Sequence, residues 1–196
     1  TQPLSDLAAI QARQEAIAWE GLPALPMDED ELDFLEYYLE LRDQIPTKGV
    51  LYSIYNKISR LCKYDPTRYV ITRGVKLCIR LFKQLEKLHK DLPDNPPKLI
   101  REWTDNIYAA LQNEELQVLV KIEEEDDFSD FQIDNYDYFF RHEQRSLIRD
   151  LLTGIYLLDV CRTARFIAQE RGYCCTPILH ESGGCSIQGF RHPFVK

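Results

Sequence analysis

The groups in this 196-residue chain that could do chemistry are few, and their spacing fits no familiar catalytic pattern. Six cysteines are scattered through it: Cys62, Cys78, Cys161, Cys174, Cys175 and Cys185. The adjacent pair Cys174-Cys175 is a poor disulfide and lacks the C-x-x-C spacing of a zinc site, so reduced thiols in a cytoplasmic protein are expected. His89 has no ligand partner three or four residues on, and His142, His180 and His192 lie far apart without a patterned serine or cysteine nucleophile nearby. Glu123 to Asp137 is dense in carboxylates that could take a divalent cation. It lacks the D-x-[DN]-x-[DN]-G spacing of a calcium loop, and a surface loop is the default reading. The chain has no G-x-x-x-x-G-K-[ST] phosphate loop and no G-x-S-x-G elbow. Gly183-Gly184 is too short for the first and precedes a strand-like run. No catalytic residue, metal ligand or cofactor contact is therefore assigned within this sequence.

Two residues carry structural expectations instead. Asp159 sits inside the most apolar stretch of the chain, Leu151 to Cys161. Such a carboxylate is expected to be buried and hydrogen-bonded, held by an arginine or a helix N-terminus. His192 precedes Pro193, which pushes its backbone toward extended geometry and favours a structural place at a domain junction.

Charge is distributed in blocks. Residues 1 to 47 carry 11 acids and 2 bases, residues 48 to 90 carry 2 acids and 11 bases, and residues 114 to 137 carry 10 acids and one base. The net charges are thus −9, +9 and −9 within a chain of −8 overall. A basic block can be a nucleic-acid surface, or it can face acidic neighbours and water; the acidic blocks on either side favour the second reading. The overall acidic balance argues against broad phosphate binding by this stretch alone.

The elements that must position these groups are mostly helical. Ser5 or Asp6 can cap a helix reaching about Glu20, which Gly21, Pro23 and Pro26 break. Asp28 to Asp33 is an acid-rich helix start, followed by Leu32, Leu35 and Leu39, with the helix running to about Gln44 before Pro46. Phe34, Tyr37 and Tyr38 read as packing within it. Leu51, Ile54, Tyr55, Ile58 and Leu61 keep helical spacing. Val70 to Leu92 is a longer amphipathic run with Val75, Cys78, Ile79, Phe82, Leu85 and Leu88 on one face and Lys76, Arg80, Lys83, Lys87 and Lys90 on the other. Leu99 to Leu111 is a further helix, and Leu116 to Ile122 fits either a short helix or a strand. From Leu147 a long helix runs to Arg171, apolar almost all round in its first half and therefore expected to be buried centrally. Gly172 and then Pro177 mark its end. The alternation at Ser186-Ile187-Gln188 is strand-like. No apolar run approaches the ~20 residues that span a bilayer.

Two motifs, one at each end, resemble a known family. Gln2-Pro3-Leu4-Ser5-Asp6-Leu7, followed by Ile10 and Ala12-Arg13-Gln14, resembles the opening of the core domain of MutS-family DNA mismatch-repair ATPases. Leu158-Asp159-Val160, Tyr173 to Pro177, and Gly189, Arg191, His192 and Pro193 resemble its end, where a strand leads into the ATPase. This chain departs in placing Phe190 between Gly189 and Arg191. The resemblance implies a mainly α fold: a multi-helical core and lever bundle over residues 1–180, with a long central helix. A short β-like tail, residues 181–196, would begin the junction to an ATPase domain. It implies a non-enzymatic lever that relays nucleotide state between that ATPase and the DNA-holding parts. ATP and magnesium would be bound elsewhere in the parent protein, a homodimer on duplex DNA with no membrane association. The stretch where such proteins raise a DNA-contacting clamp is here short and acidic, which implies a clamp missing or much reduced. The alternative is a helical scaffold or protein-interaction domain of the same ancestry that no longer contacts DNA.

Overall fold

A computed structural model describes residues 7–41, 67–122 and 128–172. Every regular element among these residues is helical. The expected helix over Val50 to Cys62 and the strand-like tail lie outside the described residues. Seven α-helices follow in order: α1 Leu7–Ala18, α2 Glu29–Glu40, α3 Thr67–Asp91, α4 Lys98–Leu111, α5 Glu114–Val120, α6 Asp130–Tyr138 and α7 Arg145–Glu170. A π-helical turn, Phe139–Glu143, joins the last two.

Local sequence explains most boundaries. Asp28 caps α2 by accepting from the Glu31 backbone at 2.8 Å, and Glu31 returns the bond to the Asp28 N–H, a reciprocal box that satisfies two otherwise orphaned donors. The ambiguous run at Leu116 is a helix because Asn113 caps it, accepting from Glu115 N at 2.9 Å. Its Leu116 and Leu119 are buried. Gly172 takes φ +65 just past α7, as its position predicts.

The helix around which the others gather is α3, against which α2, α4, α5 and α6 all pack. The expected stripe from Val75 to Leu88 is buried throughout, and Leu77 and Leu81 join it because α3 has neighbours on several sides. The sequence reading gave that central role to α7, which packs instead against α1, α2, α4 and the π-helical turn. Only one stripe of α7, Ile148, Leu151, Leu152, Ile155, Leu158 and Cys161, is buried. Toward the C-terminal end of α7 the cover thins: Val160 is 60% and Phe166 58% exposed. Among the described residues, no helix is long and apolar enough to cross a membrane.

Two glycines mark where helices approach side chains closely. A Cβ on Gly74 of α3 would clash with the ring of Tyr38, and one on Gly154 of α7 would clash with the indole of Trp103. Glycine to alanine within a helix ordinarily stabilises by up to ~1 kcal/mol. Here the sign reverses: Gly74→Ala and Gly154→Ala each lower stability by ~1–3 kcal/mol through overpacking, as urea unfolding will read.

Candidate functional site

A buried polar cluster that ties several elements together lies at the start of the route into α7. Asp137 on α6 is fully buried and accepts from the Tyr38 hydroxyl of α2 at 2.9 Å. Arg141, in the π-helical turn and also buried, donates from Nε to the same carboxylate at 2.7 Å and pairs with its second oxygen through Nη2. A third donor, Arg141 Nη1, reaches the Leu41 carbonyl at the end of α2 at 3.1 Å. The guanidinium lies 5.7 Å from the Tyr38 ring centroid, within cation–π range. Every charge here has a partner, which is the condition for tolerating ions in the core.

The π-helical turn makes this geometry possible. Gln144 N–H donates to Phe139 O, five residues back, at 2.9 Å. Within the widened turn Phe140 is buried and stacks on Phe82 of α3, ring centroids 6.2 Å apart, while the next residue, Arg141, meets Asp137 four residues earlier. Such wide turns are rare and are often found at functional positions.

A second cluster fastens α6 to the start of α3. Arg68 donates to Asp134 at 2.7 Å and to Asp130 at 2.6 Å, and Asp134 is almost wholly buried. Arg80 pairs with Glu31, the same carboxylate that closes the α2 cap, and Arg73 lies 4.4 Å over the Phe34 ring. Arginines of the basic block thus meet carboxylates of both acidic blocks, as the internal reading of the charge pattern expects. The default reading of Glu123 to Asp137 as a surface loop is overturned over residues 130 to 137, which form a helix with two buried aspartates. The missed signal is Ser129-x-x-Gln132: Ser129 Oγ and the Gln132 side chain form a capping box. Spacing of Asp137 and Arg141 at i, i+4 is the other clue.

Along α7, side chains fasten it to three other helices. Arg145 pairs with Glu40 of α2 at 3.1 Å, and Arg149 pairs with the same carboxylate. Tyr156 has its pKa pushed up to about 12, first by burial and then by a hydrogen bond to Glu36 of α2. Trp103 of α4 fills the notch at Gly154. Arg165 donates to the Ala18 carbonyl at the end of α1 at 2.7 Å. The exposed pairs contribute little to stability, about 0–1 kcal/mol each, but they fix which face of the helix meets which neighbour.

Asp159 is exposed, which corrects the expectation of a buried, hydrogen-bonded carboxylate. The helix around it is correctly placed, but it is covered on one side only, and Asp159 falls at the edge of that stripe where cover is receding. Gly189, Arg191, His192 and Pro193 lie outside the described residues. His89 stacks on Tyr108 at 5.1 Å and His142 tilts against Tyr138 at 4.8 Å, so both pack as aromatic rings. Among the described residues there is no cluster of three or more histidine, cysteine, aspartate or glutamate side chains able to hold a metal ion.

Removing one partner of the Asp137–Arg141 pair strands the other charge in the core. Asp137→Ala and Arg141→Met are each expected to cost ~3–5 kcal/mol in urea unfolding, and Tyr38→Phe, which leaves the ion pair intact, ~1 kcal/mol. Burial first, and Asp137 second, raise the pKa of Tyr38 and of Cys78 well above their ordinary values of 10.0 and 9.0. The unfolded chain then releases these protons first, so stability is full below about pH 9 and falls as pH rises beyond it. In Tyr38→Phe the part of that fall above about pH 10 becomes shallower. Comparison with known proteins leaves the chain without a match: no family model, no curated protein and no solved structure is similar to it.

Proposed function

We propose that this chain is the core and lever portion of a MutS-like, DNA-associated ATPase, carrying conformational change between a nucleotide site and DNA-holding parts that lie elsewhere in the parent protein. The motifs at the two ends of the sequence support the family reading. The observation that carries the lever reading is α7 itself. It is a single helix of 26 residues, ~39 Å at 1.5 Å per residue, that leads from the buried Asp137–Arg141 cluster to the segment bearing the second motif. A relay element needs stiffness along its length and defined attachments at its ends. Side-chain fastenings to α2, α4 and α1 supply both.

The charge arrangement bears on where DNA would be held. Arg68 and Arg80 are already paired with carboxylates of this chain, and Arg73 is stacked on Phe34. Lys76, Lys83 and Lys87 remain on α3 outside these contacts, but the chain carries a net charge of −8, which favours contact with DNA through other parts of the parent protein.

The test measures ATP hydrolysis by the natural polypeptide that carries this chain, with and without duplex and branched DNA. Hydrolysis stimulated by DNA is the expected result. Arg165→Ala, which removes the bond from α7 to the end of α1, is expected to reduce that stimulation at least about fivefold while leaving hydrolysis without DNA little changed. Hydrolysis indifferent to every DNA would favour the scaffold alternative, and absence of nucleotide binding would remove the family reading altogether.

A further inference from the structure

A groove separate from the lever's fastenings lies between α5 and α6. Its floor is Leu119 and Phe139, both buried, and its walls are Val118 and the half-buried Tyr136. The cavity holds about 300 Å³, enough for one large apolar side chain but at the lower limit for a drug-sized ligand. Val118 is 62% exposed at its edge, although it sits on a seven-residue helix whose two leucines are buried.

The two charged residues that line the groove, Glu115 and Glu143, are both carboxylates. Glu114 precedes Glu115 in the first turn of α5. Further along the same acidic block, Asp130, Asp134 and Asp137 are turned toward Arg68 and Arg141. The groove therefore combines an apolar floor with a negative rim. Phosphate backbones and anionic membrane surfaces are repelled by such a rim. A protein segment that is apolar at its centre and basic at its flanks satisfies both features, and an amphipathic helix presents that combination at one-turn spacing.

We propose that this groove receives a helical segment of a partner protein, bearing one large apolar side chain with lysine or arginine about one turn to either side. The proposal rests on the groove's own chemistry and is independent of the lever reading.

Three synthetic alanine-based helical peptides of about 15–20 residues serve as probes. The first carries leucine or phenylalanine at i, i+4 and i+7 with flanking lysines. The second keeps the lysines but has alanine at the apolar positions, and the third has glutamate in place of lysine. Binding to the 196-residue chain is read by fluorescence anisotropy at ~0.15 M salt. The first peptide is expected to bind at least about tenfold more tightly than either control. Val118→Lys, an exposed position that leaves the thermal melt unchanged, should remove that preference. Glu115→Lys should weaken the lysine peptide and strengthen the glutamate one. Equal binding of the first two peptides would mean charge alone, and would overturn the proposal. So would binding insensitive to Val118→Lys, or no binding of any probe. Self-association of the chain that Val118→Lys abolishes would assign the groove to a second copy instead, and would overturn it equally.

Discussion

Much of this fold converges on one carboxylate. Asp137 is fully buried, and an arginine that is itself buried balances its negative charge. An isolated ion in such a place would be driven to neutrality. The pair persists because Tyr38 and the Leu41 carbonyl complete the hydrogen bonds around it. These partners come from α2, α6 and the π-helical turn, and Cys78 of α3 lies close enough to feel the charge. The constraint therefore spans about half of the sequence: Tyr38 and Asp137 are 99 residues apart. A hydrophobic core alone tolerates sliding of one helix over another, whereas a bidentate pair with two further bonds fixes a single register.

Charge elsewhere follows the same logic on a looser scale. The sequence alternates acidic, basic and acidic blocks, and folding lays the basic helix α3 between the helices of the two acidic ones. Arg68, Arg73 and Arg80 point at an acid or an aromatic ring on a neighbour. Of the exposed lysines on α3, Lys90 pairs with Glu86 of its own helix, and Lys76 and Lys87 lie outside these pairs. The block pattern thus reflects how the chain is folded more than what it binds.

How much of this was legible in advance depended on the kind of signal. Helical spacing located α1, α2, α3, α4 and α7 closely, because apolar periodicity persists over three turns or more. The six residues of the α3 stripe are all buried as read. Short elements were harder: α5 was ambiguous and α6 was read as loop, since seven or nine residues hold too few periods to outvote a high density of acids. The buried aspartates were missed for a related reason. An aspartate in an acidic run looks solvated until a specific arginine is brought to it, and Arg68 comes from 66 residues away to meet Asp134. Asp159 failed in the opposite direction: apolar residues all around a helix do not guarantee neighbours all around it. Of the family motifs, the junction residues lie outside the described part, so the sequence remains their only support.

The notch at Gly154 has a mechanical corollary. It lies nine residues from the start of α7 and sixteen from its end, dividing the rod into arms of about 14 Å and 24 Å. Were α7 to tilt about Trp103 as the proposed lever, the far tip would move about 1.8 times as much as the near one. Small adjustments beside the buried ion pair would arrive enlarged at the other end. Motion imposed there would come back reduced, with proportionally greater force.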